Sequence, residues 1–318
     1  MDFTFRTYRS LLNTLASQDF SFLSFEQFIG NNAGKKIALR HDVDLFPKNS
    51  LRFAKIESEF GIKGSYYFRI VPHSFNEKII KEICSMGHEV GYHYEDISLA
   101  TGVRRQASGE ESRINDARHT EEESVKMAIE SFKKNLAKLR EIVPVKTICM
   151  HGSPISRWDS RLLWKYYDYH DFGIVGEPYF DIDFNDVLYL TDTGRRWDGE
   201  SVSIRDKARG MEYNEHCINS FEDWKVKPNR SNSRTTSTSN NKPDYLQPTT
   251  SNQQPATFPK FHSTFDIIKV AEDGKLPNKI MMTFHPQRWT DKPLPWMKEL
   301  VWQNVKNIGK YFLVKMRD

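Results

Sequence analysis

The stretch from Ile37 to Leu45, reading Ile-Ala-Leu-Arg-His-Asp-Val-Asp-Leu, constrains this chain more than any other. An apolar run enters it, and two carboxylates, Asp42 and Asp44, close it where a strand of that length ends. On extended backbone, residues i and i+2 share a face, so both acids are expected to point into one space. Two carboxylates held together at a strand end make half of a site that binds a metal and moves a proton. The rest of the chain has to supply the other half.

Around this strand the sequence alternates. Thr7 to Gln18 has helical spacing at Tyr8, Leu11, Leu12 and Leu15; Pro47 to Phe60 starts with a proline and stops at Gly61. Gly64 to Val71 and His88 to His93 read as strands, with a helix from Asn76 to Met86 between them. A polar stretch from Thr101 to His119 has no clear period and is expected to be a loop or lid. Thr120 and Glu123 have capping-box spacing and open a helix with Val125, Ala128, Ile129, Phe132, Leu136 and Leu139 on one face. Strands follow at Lys146 to Met150, Gly173 to Gly176, Val187 to Thr191 and Asn278 to Phe284, with a short helix from Ser160 to Tyr167. Pro295 to Val314 places Met297, Val301, Val305, Ile308 and Phe312 on one helical face, which is expected to dock on the neighbours of the first strand. Strands alternating with helices imply an α/β fold with a parallel sheet, doubly wound or closed as a barrel, and six or seven such units favour a (β/α) barrel of mainly parallel strands.

Composition sets limits. With 318 residues, 38% hydrophobic and 28% charged, the chain suffices for one large domain. Residues 225–260, dominated by Asn, Ser, Thr, Gln and Pro, bury too little to repay ordering and are expected to be a flexible insertion within it. The net charge of +4 is spread along the chain, which makes no case for nucleic acid or an anionic membrane as the main partner. No run reaches membrane-span length and the N-terminus has no signal-peptide core, so a cytoplasmic location is expected. Cys84, Cys149 and Cys217 form no Cys-x-x-Cys pair and read as reduced thiols.

Four expected strand ends carry polar residues: Asp42 with Asp44, His93 with Glu95 and Asp96, His151, and His285. Function in parallel α/β sheets sits at the carboxyl ends of the strands, so these four can converge. His88 and His93 are five residues apart and face opposite sides of a strand, which leaves His93 for the pocket and His88 for structure.

Arg40-His41-Asp42-Val43-Asp44, Gly87-His88-Glu89-Val90-Gly91-Tyr92-His93 and Thr283-Phe284-His285-Pro286 resemble motifs of the polysaccharide deacetylase superfamily, carbohydrate esterase family four and its relatives. The resemblance implies a distorted barrel and a divalent metal, zinc first, activating water against an N-acetyl amide. It implies Asp42 as general base, His285 as general acid, and Asp44 and His93 as metal ligands. His151 stands where family members carry residues that orient the base. The family's second ligand histidine, four positions after the first, is replaced here by Ile97. Another side chain must complete the set, with His151 the first choice and Glu95 or Asp96 the second. The implied substrate is a carbohydrate or amino sugar in a glycan or glycan precursor. A non-sugar amide, or a metal-free carbohydrate-binding module that kept the fold, are the alternatives.

Trp158, Trp197 and Trp289 are candidates for a sugar-stacking rim, since pyranose faces lie well on indole rings. Arg195 or Arg196, in the polar stretch Thr191 to Asp198, is a candidate for an anionic substrate group such as a phosphate or carboxylate; the plain alternatives are core tryptophans and a salt-bridged loop.

Overall fold

Strand β2 (Lys36–Val43) is buried along its whole length, which is why its sequence runs apolar instead of alternating: both of its faces are covered. The computed structural model describes residues 1–31, 34–100, 103–105, 111–113, 120–152, 158–197 and 260–315. These fall in one compact unit, Met1–Arg209 with Pro259–Asp318. The stretch 225–259 and Cys217 lie outside the described residues.

Around β2 the other strands are β1 (Ser21–Leu23), β3 (Ser65–Phe68), β4 (Glu89–Tyr94), β7 (Ile148–Met150), β8 (Leu188–Thr191) and β9 (Lys279–Phe284). They form one parallel sheet in the order β7-β4-β3-β2-β9-β8, with β1 also paired to β2. The sheet curls into a half-barrel, so the α/β architecture is that of a distorted (β/α) barrel. The expected strand at 173–176 contributes only a parallel bridge, Gly176 to Thr147 on the outer side of β7. The segment from Thr101 to His119 is not purely a loop: β5 (Val103–Arg105) and β6 (Glu111–Arg113) pair antiparallel.

The helices are α1 (Phe5–Ala16), α2 (Phe25–Gly30), α3 (Pro47–Glu59), α4 (Glu77–Ser85), α5 (Asp96–Ala100) and α6 (Glu121–Arg140), followed by shorter turns, Thr264–Glu272 and the C-terminal helix Pro293–Lys315. The capping box of α6 forms as its spacing predicts, Thr120 Oγ1 accepting from Glu123 N and Glu123 from Thr120 N. Inside the curl, Ala38, Tyr67, Cys149 and Met281 meet Phe25 and Phe28 of α2. Gly91 makes this possible: a Cβ there would lie 2.3 Å from Tyr67 Cε1 and 2.9 Å from the Thr147 carbonyl oxygen. The Tyr67 ring crosses the β4 backbone and reaches Thr147 Oγ1 at 3.0 Å.

On the opposite face of β2 lies a buried polar knot. Glu57 of α3, fully buried, accepts from Tyr8 Oη at 2.5 Å and Tyr66 Oη at 2.7 Å, and lies 2.6 Å from His41 Nε2. Burial pushes the Glu57 carboxyl up, but His41 and these hydrogen bonds outweigh it and hold it below its ordinary value. His88 belongs here: Gly64 N donates to its Nδ1, and its Nε2 meets the Ala54 carbonyl. Its structural role matches the parity argument.

The C-terminal helix departs from expectation. Met297, Val301 and Val305, assigned by period to a docked face, are 56%, 63% and 55% exposed. The side turned to the body instead carries Trp296, whose Nε1 donates to the Asp2 carbonyl, and the buried Gln303.

Candidate metal centre

At the carboxyl end of β2 the backbone turns at once, Asp44 N donating to Asp42 O at 3.0 Å. The two carboxylates therefore separate in environment although both face the space above the sheet. Asp42 is gripped by the side chain two residues before it: Arg40 Nε donates to Oδ1 at 2.9 Å and Nη2 to Oδ2 at 2.7 Å. Burial pushes the Asp42 carboxyl upward, but Arg40, with His93 and His285, overrides it and holds it at about 2. The residue that orients Asp42 is thus Arg40 and not His151.

Asp44 meets no arginine among the described residues. Its Oδ2 accepts from Gln287 Nε2 at 3.0 Å, while Oδ1 is buried and makes no hydrogen bond. Two imidazole nitrogens aim at that oxygen: Nε2 of His93 at 3.5 Å and Nε2 of His151 at 3.4 Å. Donor atoms of Asp44, His93 and His151 all lie within 4.8 Å of one another. Two ligands about 2.1 Å from a tetrahedral ion stand about 3.4 Å apart, so separations of 3.5 and 3.4 Å would let these residues hold one.

The partners behind the imidazoles fix which nitrogen is offered. His93 Nδ1 lies 2.9 Å from the Cys149 carbonyl across the β4–β7 pairing. A carbonyl only accepts, so Nδ1 carries the proton and Nε2 presents a lone pair. His151 Nδ1 lies 3.1 Å from Glu95 Oε2 without hydrogen-bond geometry, a close approach to the carboxylate–histidine arrangement common behind metal ligands. Glu95 is itself held by Arg69, Nε to Oε1 and Nη2 to Oε2, both at 2.7 Å. Burial pushes the Glu95 carboxyl up, and His151 and Arg69 bring it down to about 2. Burial likewise lowers the His151 pKa, which favours the neutral imidazole.

Of the three candidates to stand in for Ile97, Asp96 turns away: it accepts from Tyr92 Oη, Ser131 Oγ and Asn135 Nδ2 at 2.7, 2.7 and 2.8 Å, against α6. Glu95 stands behind His151, and Ile97 is fully buried. A second group, Asp42 with His93 and Cys149, also has its donor atoms within 4.8 Å of one another. Both Asp42 oxygens, however, are already engaged by Arg40.

His285 follows β9. Its Nδ1 lies 2.6 Å from Asp192 Oδ1, and its backbone N donates to Asp192 Oδ2 at 3.0 Å. Asp192, fully buried, also accepts from Trp289 Nε1 at 2.6 Å and Arg288 Nη1 at 3.0 Å. Burial pushes the Asp192 carboxyl up, and His285 and Arg288 bring it below its ordinary range. An ionised carboxylate accepts only, so the His285 proton sits on Nδ1 and Nε2 is free. Sequence reading missed Asp192 in this role, although its position directly after a strand, like that of Asp44, was the available signal.

The proposed rim residues lie elsewhere. Trp289 is fully buried and Trp197 is 4% exposed, its Nε1 donating to Thr264 Oγ1 at 3.0 Å. Both rings pack with Phe3 and Phe284, so neither offers an open face to a sugar. Arg195 is buried between the rings of Phe3 and Trp296 and donates to the Trp296 carbonyl; it joins two parts of the fold instead of reaching the site. Trp158 is half-buried.

Comparison of the chain with family models, with curated proteins and with solved structures gives no match.

Proposed function

We propose that this chain is a metal-dependent amide hydrolase that removes an N-acetyl group from an amino sugar within a glycan or glycan precursor. One observation carries the reading: an unbonded, buried Asp44 oxygen with two imidazole Nε2 atoms at 3.4 and 3.5 Å. The Asp-His-His donor set suits zinc, which takes oxygen and nitrogen ligands and keeps an open position when catalytic. The resemblance of the three motifs to polysaccharide deacetylases supplies the substrate class.

Asp44, His93 and His151 would hold a divalent cation, which would supply Lewis acidity toward water and the amide carbonyl. Asp42, ionised throughout the physiological range, turns Oδ2 to within 3.9 Å of His93 Nε2 and so borders the same space. It accepts the proton of the attacking water. A carboxyl held at about 2 keeps a proton only briefly, so the proton has to move on. His285, held with its own proton on Nδ1 by Asp192, offers the Nε2 lone pair to take up that proton from Asp42 and then deliver it to the departing nitrogen. Each of these transfers contributes on the order of 10² to 10⁴ in rate.

The test starts with metal. Protein purified without chelator and supplied with zinc or cobalt should hold a stoichiometric ion, and Asp44→Ala or His93→Ala should lose it. Asp42→Asn should keep the ion and lose hydrolysis of N-acetylated amino sugars by a factor on the order of 10² to 10⁴. Failure of the wild-type chain to take up either metal would sink the reading and favour a metal-free binding module.

A further inference from the structure

The C-terminal helix turns a row of apolar side chains to solvent. Leu294, Met297, Val301 and Val305 are 77%, 56%, 63% and 55% exposed and follow one another at three- and four-residue steps, with Trp302 bordering them at 54%. In the sequence the same spacing continues through Ile308 and Phe312. The opposite side is committed to the body: Trp296 Nε1 donates to Asp2 O, the Trp296 carbonyl accepts from Arg195, and Gln303 is buried. The row is therefore not a core face awaiting a small rotation. Turning it inward would break these contacts.

Charge distinguishes the possible occupants. Across the whole chain the +4 is diffuse, but residues 293–318 contain Lys298, Lys306, Lys310, Lys315 and Arg317 against only Glu299 and Asp318. Lys298 is exposed and lies along the apolar row itself. A second copy of the chain packed on this row would bring Lys298 toward its own equivalent, a like-charge contact at the centre of the interface. An anionic lipid surface satisfies both features, taking the apolar side chains into the acyl boundary while Lys298 extends to the headgroups. A tryptophan at the margin of such a row suits the interfacial level. Among the described residues no helix is long and apolar enough to cross a membrane, so the helix would lie in the plane of the surface.

We propose that the helix Pro293–Lys315 docks the protein on an anionic lipid bilayer through Leu294, Met297, Val301 and Val305, with Lys298 on the headgroups. This goes beyond the hydrolase reading and does not depend on the metal site.

The experiment is flotation of the full chain with phosphatidylcholine vesicles, with and without phosphatidylglycerol. Binding is expected only with the anionic lipid and should weaken by about tenfold or more at high salt, because contributions of about 1 kcal/mol per basic residue are screened. Met297→Glu with Val301→Glu should reduce binding by at least about tenfold; both positions are more than half exposed, so the fold is retained, which circular dichroism checks. Lys298→Glu is a milder second variant and should shift binding in the same direction. His93→Ala should float like the wild type. Absence of binding to anionic vesicles overturns the proposal, as does binding unchanged in the double variant. A concentration-dependent dimer that the double variant converts to monomer, without vesicle binding, would assign the row to a second copy and overturn it too.

Discussion

Asp42 and Asp44 stand two residues apart yet live in different chemistry, because Arg40 reaches one and not the other. Arg40 and Asp42 share a face of β2 by strand parity, whereas the turn after Val43 carries Asp44 out to the imidazoles. The Asp192–His285 contact follows the same logic at a second strand end, and its removal is predicted to separate proton transfer from metal binding. Asp192→Asn places an amide nitrogen among groups that all donate to this position. Hydrolysis should fall on the order of 10² or more, with metal content unchanged by elemental analysis; full activity in this variant would remove Asp192 as the positioning residue. Much of this site was legible in sequence. Asp42, Asp44, His93, His151 and His285 each follow an apolar run, and a strand end is where such residues converge. Asp192 lies in a run dense in polar groups that reads as a surface loop; its place directly after a strand is the one local signal, and its burial by a tryptophan ninety-odd residues later leaves none.

At the scale of elements, α3 is tied to the sheet by a charge and not only by packing. Glu57 receives hydroxyl donors from α1 and β3 and faces His41 of β2. Glu57→Ala leaves two buried hydroxyls and a buried imidazole without their acceptor, and should cost about 3–5 kcal/mol. The midpoint of denaturant unfolding reads this directly, and a change below about 1 kcal/mol would show the knot to be dispensable. Replacing a buried network by removing one member is costly because the remaining groups are left desolvated. The helices also show what periodicity withholds. Spacing located the C-terminal helix to within two residues of Pro293–Lys315; it could not say which face meets the protein, because a hydrophobic stripe marks a face that seeks an apolar neighbour, whatever that neighbour is. The helix Thr264–Glu272 went unread, its capping box of Ser263 and Asp266 lying just past a low-complexity stretch.

For the whole molecule, buried carboxylates set opposing dependences on pH. Glu177, fully buried beside the end of β7, has its carboxyl pushed by burial up to about 7. An acid whose pKa rises on folding keeps its proton in the native state after the unfolded chain has lost it. Its contribution to stability is present at low pH and is lost as pH rises from about 4.3 to about 7, by at most about 4 kcal/mol. Asp42 and Glu95, both held at about 2, act in the other direction and lose their contribution only under strong acid. Glu177→Gln should therefore flatten the decline in melting temperature between about pH 5 and pH 8 without changing its acid limb; identical slopes in the two proteins would refute this. The α/β class and the parallel sheet were legible because alternating strands and helices admit few arrangements. The strand order was not, since it depends on which late segment returns to the edge of β2.

That order also sets a timetable for synthesis. β2, β3, β4 and β7 lie side by side, and all are present once the chain has passed His151. Asp44, His93 and His151 can then meet while the rest is still being made. β8 joins the sheet only through β9, so after its synthesis it waits for a partner encoded far downstream, a pairing of high sequence separation and slow closure. Asp192 and His285, standing at the ends of those two strands, enter the pocket together as its final addition. In the proposed hydrolase, a nascent or truncated chain would thus pass through a stage with Asp44, His93 and His151 in place but without His285, able to capture an ion and unable to turn over.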